Sequence, residues 1–78
     1  MKRYKIETDL SPVTVSGISM FNAQMMHRLK ENPLTIAELK EILRDDLGNW
    51  KFPTDYSIKS GLDQLEKIDG ITLTTMEN

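Results

Sequence analysis

The chain from residue 53 to residue 73 reads PTDYSIKSGLDQLEKIDGITL. Thr54 or Asp55 is a suitable N-cap residue, because its side-chain oxygen can accept a hydrogen bond from a free amide of the first helical turn. Apolar residues then recur at helical spacing, at Ile58, Leu62, Leu65 and Ile68. Asp69-Gly70 favours a helix end, and the alternation from Ile71 to Thr74 is typical of a short strand. The stretch therefore predicts a capped amphipathic helix, a turn and a closing strand.

Two further helices are expected before this one. The first opens at Ser16-Gly17 and ends near Asn32, because the proline that follows disfavours helical geometry in the residue before it. Its buried face contains Ile18, Phe21, Met25 and Leu29, with Met26 at the flank. The second begins at the capping box Thr35-Ile36-Ala37-Glu38 and ends at Gly48 in a left-handed conformation. In the third helix, Gly61 costs about 1 kcal/mol relative to alanine and therefore indicates that a neighbouring helix packs closely against it.

The remaining segments are expected to supply a small sheet. Lys2–Thr8 alternates apolar and polar residues, which predicts a half-buried strand. Val13-Thr14-Val15 predicts a second short strand in a hairpin, or an extended arm. The closing strand is expected to pair with the N-terminal strand, so that Tyr4 and Ile6 pack over the helices, while Met76–Asn78 frays. These elements together give an α+β domain with three helices and a small antiparallel sheet from the N-terminal and C-terminal strands.

Length and composition limit what this chain can be. Its 78 residues predict one domain, residues 1–78, because a chain of this size cannot build a second core. It has no cysteine, so neither a disulfide nor a thiolate metal site can supplement the core. No apolar run approaches the roughly 18 residues that cross a bilayer, and no signal-peptide pattern follows the basic start. We therefore expect no membrane association, and a cytoplasmic location is the default.

The order of the elements resembles the winged helix-turn-helix superfamily. The resemblance covers roughly residues 18 to 74 and lies in the segments TIAELKEIL and YSIKSGLDQLEKIDGI. It implies a three-helix winged-helix-like domain whose third helix reads double-stranded DNA, in a transcriptional regulator or an accessory factor.

A third helix that enters a major groove would turn its polar residues toward base edges and phosphates. The candidate nucleic-acid-binding residues are Lys51, Thr54, Tyr56, Ser57, Lys59, Ser60 and Gln64. In this interpretation Lys51 and Lys59 contact phosphates, Gln64 contacts an adenine edge, and the serines contact either one.

Charge argues in part against DNA. The net charge is −2, and Asp55 and Asp63 lie on the same helix as the candidate contacts. The alternative interpretation of that helix is a solvated polar face on an ordinary core helix. A contiguous positive surface around Lys51, Lys59 and Lys67 would favour DNA, whereas interleaved acids would favour a protein partner.

The alternative function is that of an acidic protein-interaction module, of the kind that a phage or mobile element encodes, which binds and inhibits or recruits a larger protein. Its candidate residues are Glu38, Glu41, Asp45, Asp46, Trp50 and Phe52. The carboxylates can mimic nucleic-acid phosphate, and the aromatic residues can serve as anchors. A solvated helix face and two rings that cover the core are the simpler interpretations of the same residues.

The sequence does not favour an enzyme. His27 is the only histidine, and no cysteine, glycine-rich phosphate loop, nucleophile motif or metal-ligand cluster is present. We therefore expect no cofactor and no metal. Met20, Met25 and Met26 indicate either core filling or an adaptable partner surface, and a homodimer through the first helix is a further alternative.

Overall fold

Three α-helices and a two-stranded antiparallel sheet form the part of the chain that the computed structural model describes, residues 1–48 and 53–77. In chain order the elements are β1 (Lys2–Glu7), a short 3₁₀ helix (Pro12–Thr14), α1 (Met20–Glu31), α2 (Ile36–Leu47), α3 (Asp55–Glu66) and β2 (Thr72–Glu77). The expected α+β class, with its sheet made from the N-terminal and C-terminal strands, is confirmed.

The sheet is longer at its C-terminal end than expected. β2 pairs along its whole length with β1, from Glu7 opposite Thr72 to Lys2 opposite Glu77. The expectation of a frayed end is therefore wrong for residues 76 and 77, while residue 78 lies outside the described residues. On the other edge of β1, Tyr4 N donates to the Leu34 carbonyl at 2.8 Å, and Leu34 N donates to the Tyr4 carbonyl at 3.0 Å.

The core lies between the three helices and the inner face of the sheet. Its buried apolar residues are Ile6, Phe21, Met25, Met26, Leu29, Leu39, Leu43, Ile58, Leu62, Leu65 and Ile71. Three residues of the expected α3 stripe are among them, whereas Ile68 is only half-buried. The expected end of α3 at Asp69-Gly70 is too late, because the helix stops at Glu66 and Lys67 N already bonds the Gln64 carbonyl at 3.3 Å.

α1 begins later than expected. Ser19 is its N-cap and accepts a hydrogen bond from Asn22 N at 3.1 Å, whereas Gly17 has a φ of +75°, which a right-handed helix cannot contain. Ile18 therefore precedes the helix and packs against the core only in part. The expected end at Asn32 is confirmed.

The segment from Val13 to Val15 forms neither a hairpin strand nor an extended arm, which corrects that expectation. Pro12 opens a single 3₁₀ turn in which Thr14 N donates to the Ser11 carbonyl at 3.0 Å, and the Thr14 hydroxyl donates to the same carbonyl at 2.8 Å. Proline already holds the φ angle that such a turn needs, so this local preference prevails over the apolar alternation.

The capping box expected at the start of α2 is confirmed. Thr35 Oγ1 accepts from Glu38 N at 3.1 Å, and Glu38 Oε1 accepts from Thr35 N at 2.9 Å. Gly48 ends the helix with a positive φ of 60°, as expected, but its ψ of −135° lies outside the left-handed helical region.

Candidate binding surface on the third helix

The start of α3 is fixed by hydrogen bonds between two residues of the candidate DNA-binding set. Thr54 Oγ1 accepts from Ser57 N at 3.0 Å, and Ser57 Oγ accepts from Thr54 N at 2.8 Å. Ser57 Oγ also donates to the Thr54 carbonyl at 3.0 Å. These hydroxyl groups are therefore occupied in capping the helix, which sets its direction and the positions of the residues that follow.

Three other residues of that set lie together on the outward side of α3, beside the start of α1. Tyr56 is 82% exposed, Gln64 is exposed and Ser60 is half-buried. With Ser19, the N-cap of α1, and Asn22 of α1 they line a groove of about 340 Å³. We call these five residues the α3 surface.

The α3 surface exists because α1 and α3 approach each other closely at Gly61. A Cβ atom built on Gly61 would lie 2.5 Å from Asn22 Oδ1 and 2.5 Å from Met25 Cε, so these two side chains of α1 occupy the space that a side chain at position 61 would need. The expected close approach is confirmed. Next to it, Asn22 Nδ2 donates to Gln64 Oε1 at 2.8 Å, which holds the Gln64 amide against the groove.

Positive and negative charges alternate around α3. Lys40 Nζ lies 2.6 Å from Asp55 Oδ1, and Lys67 Nζ lies 3.3 Å from Asp63 Oδ2. The hydrogen bond from Lys40 holds the pKa of the Asp55 carboxyl below its usual value, and the charge of Lys59 acts in the same direction. Within residues 1–48 and 53–77, Lys59 of α3 and Lys67 just after it are therefore interleaved with acids instead of forming a contiguous positive face.

Glu38, the first acidic residue of α2, serves the fold. Besides its bond from Thr35 N, its carboxylate lies 2.7 Å from Arg3 Nη1 of β1. The backbone hydrogen bond from Thr35, together with the charge of Arg3, lowers the pKa of the Glu38 carboxyl.

Asp46, at the other end of α2, ties this helix to α1. It accepts from Arg28 Nη2 at 2.7 Å and from Arg28 Nε at 2.8 Å, and also from Gln24 Nε2 at 2.9 Å. The hydrogen bond from Arg28 is the main reason that the pKa of the Asp46 carboxyl is lowered. Of the four acids proposed for a protein partner, only Glu41 and Asp45 are exposed and outside the ion pairs of the described residues.

Several other expected site residues cannot be placed or lie elsewhere. Trp50, Lys51 and Phe52 are outside the described residues. Met25 and Met26 are completely buried, so they fill the core, and a partner surface made from them is excluded. Among the methionines of α1, only Met20 is exposed.

Sequence reasoning missed three residues that shape this surface. Ser19 and Asn22 were missed because α1 was expected to begin earlier, although Ser19 followed by a helix-forming run is a legitimate N-cap signal. Lys40 was missed because no local signal relates it to Asp55 on the next helix.

In the part of the chain that the structure describes, no group of three histidine, aspartate or glutamate side chains is arranged to hold a metal ion. No helix of that part is long and apolar enough to cross a membrane. Comparisons of the chain with protein-family models, with curated proteins and with solved structures found no match.

Proposed function

We propose that this chain is a non-catalytic module that binds another protein through the α3 surface. The observation that carries the proposal is the position of Tyr56, which is 82% exposed at the edge of a groove between two helices. Tyrosine is enriched among the residues that dominate protein–protein binding energy, because it buries a large ring with little loss of conformational freedom.

The surroundings of Tyr56 have the composition of a small protein-binding patch. The groove beside it is lined by uncharged side chains, including Ser60 and the hydrogen-bonded amides of Asn22 and Gln64. Charged residues directly precede Tyr56, Ser60 and Gln64 along α3, and one of them, Asp55, is already paired with Lys40. A charge-poor centre with a charged border is the usual anatomy of protein interfaces, since paired charges at the border need not be desolvated.

This arrangement indicates the chemistry of the partner. It would supply an apolar side chain against the Tyr56 ring, together with backbone amide or carbonyl groups for the amide of Gln64. The charges of the lysines and acids around α3 offset each other, so a strongly charged partner segment would gain little binding affinity from them. The cytoplasmic location expected from the sequence belongs to the same proposal.

The experiment is photo-crosslinking in the cells that express the protein, with a photoreactive phenylalanine analogue at position 56. We expect one discrete adduct from position 56. With the photoreactive residue at position 60 instead, we expect an adduct with the same partner, and we expect Tyr56→Ala to abolish that adduct. The matched control places the probe at Val13, an apolar residue that is 92% exposed on the 3₁₀ helix. If position 56 yields no adduct beyond those formed from position 13, the proposal is wrong.

Double-stranded DNA is the second candidate partner, as the winged-helix resemblance implies. One observation favours it: Lys59 is exposed on α3, the helix that also carries Tyr56, Ser60 and Gln64. A phosphate contact and base contacts would therefore be available together. The acids Asp55 and Asp63 reduce the expected affinity.

Duplex binding measured by fluorescence anisotropy at low salt tests this second candidate. Lys59→Glu should weaken binding and reduce its salt dependence, while Lys2→Glu on β1, which changes the net charge equally, should have little effect. The absence of binding at low salt would exclude DNA, and equal effects of the two substitutions would exclude α3 as the DNA-reading element.

A further inference from the structure

One edge of β2 carries backbone groups that have no backbone hydrogen-bond partner among the described residues. Backbone N–H and C=O groups point alternately to the two sides of a strand. Tyr4 uses both of its groups to bond Leu34 on the far side of β1, so Tyr4 and Thr75 face each other without exchanging hydrogen bonds. The same alternation turns three residues of β2 away from β1, namely Leu73, Thr75 and Glu77. None of their backbone groups has a backbone partner among residues 1–48 and 53–77.

This edge lacks the features that prevent strands from pairing with other chains. Such edges usually carry lysine, proline or a bulge. β2 reads TLTTME, without any of these, and its last four residues are all exposed. β1, by contrast, contains lysines and has its outer edge bridged at Tyr4 by Leu34.

We propose that two copies of this chain associate by antiparallel pairing of their β2 strands, with Thr75 of one copy opposite Thr75 of the other. In this register Leu73 of each copy faces Glu77 of the other, so all three outward residues are paired. Each such pair exchanges two hydrogen bonds, which gives about six, whereas the next register in either direction gives about four. The register therefore follows from the direction of the backbone groups.

A second copy fits this edge better than a charged peptide does. From Thr72 to Met76 the strand carries no charge, so it does not select an acidic or a basic partner. The proposed register places the single acid, Glu77, opposite Leu73, so like charges do not face each other. Facing threonines form a favourable cross-strand pair, and the two sheets merge into one of four strands, which is more stable than an isolated pair.

The association is expected to be weak. A six-residue strand is about 20 Å long. Interfaces that bury less than about 1,200 Å² are typical of transient complexes. The pairing does not involve the α3 surface, so the inference is independent of the proposed function.

The test is sedimentation equilibrium from about 10 μM to 1 mM, the range in which such an interface associates. The wild-type chain should show a reversible monomer–dimer equilibrium. Thr75→Lys and Thr75→Glu should each weaken dimerisation about fivefold or more, because two like charges then face each other at the symmetry axis. An equimolar mixture of the two variants should form a heterodimer at least as tight as the wild-type dimer.

Thr74→Lys is the matched control, because position 74 faces Met76 of the other copy and no like charges are opposed. Thermal melting of each variant followed by circular dichroism establishes that the monomer is folded. Weak interfaces still associate at about 1 mM, so a wild-type chain that stays monomeric at this concentration overturns the proposal. So does a mixture of the two Thr75 variants that dimerises no better than either variant alone.

Discussion

Replacing Gly61 with alanine places two effects of known size in opposition. In a helix interior, alanine is more favourable than glycine by about 1 kcal/mol. At this position, however, the new methyl group would lie 2.5 Å from both Asn22 Oδ1 and Met25 Cε, well inside van der Waals contact. Adding a methyl group to a well-packed site costs about 1–3 kcal/mol.

The surroundings decide which effect prevails. Met25 is completely buried, so its methyl group can move only if the neighbouring core side chains shift with it. Asn22 can move only by giving up its 2.8 Å hydrogen bond to Gln64. We therefore expect Gly61→Ala to lower the free energy of unfolding by about 1 kcal/mol, with a fall in Tm of about 4–8 °C for a domain of this size.

Urea denaturation followed by circular dichroism measures this change, with the m-value as the check on two-state behaviour. In an Asn22→Ala background the loss caused by Gly61→Ala should become smaller, because one of the two contacts is removed. Ser60→Ala is the matched control, since it changes the neighbouring residue without adding an atom. A Gly61→Ala variant about 1 kcal/mol more stable than the wild type, as expected for an unhindered glycine, would refute the argument.

Three further predictions concern the fold. Thr35→Ala removes a buried N-cap and should cost about 1–2 kcal/mol in chemical denaturation, more than Thr54→Ala, whose cap is exposed; equal losses would contradict the role of burial. Ile6→Ala should lower the free energy of unfolding by about 2–5 kcal/mol, and substitution of its half-buried strand partner, Leu73→Ala, should lower it clearly less. Equal losses would contradict the described packing of the sheet. Because the pKa of Asp46 is lowered in the folded chain, Asp46 adds to the free energy of unfolding at pH values above its unfolded pKa. This contribution is lost as the pH falls through the folded pKa. Melting from about pH 7 to pH 2 should therefore show a smaller acid-induced fall in Tm for Asp46→Asn than for the wild type. Asp45→Asn is the control, and an unchanged slope in Asp46→Asn would exclude the effect.

The sequence predicted those features that depend on neighbouring residues. The capping box at Thr35 and Glu38, the N-cap at Thr54 and the apolar stripe of α3 all arise within one or two helical turns, so their signals are local. The close approach at Gly61 was also predictable, because a glycine inside a helix is unfavourable unless something requires the space.

The errors have a different origin. β2 continues to Glu77 although its last four residues are all exposed, because its pairing is decided by β1 at the other end of the chain. Its exposed threonines show no apolar alternation that would mark the strand's length. The ion pair between Lys40 and Asp55 likewise depends on how α2 and α3 are placed, so composition alone could not relate the two residues.

The pairing of β1 with β2 closes a loop that contains nearly the whole described chain. Lys2 pairs with Glu77, which lies 75 positions further along the chain. Closing a flexible loop of that length costs about 4 kcal/mol by the (3/2)RT ln n relation, more than a two-stranded sheet readily offsets.

The three helices lie inside that loop, so their packing would bring the two strands close to each other before the strands pair. We infer that the sheet closes last, so substitutions in β2 should mainly accelerate unfolding and leave the folding rate nearly unchanged. A β2 variant that slows folding as strongly as a core variant of α3 would contradict this order. In this order of events, the packed helices hold the two distant strands close enough to pair.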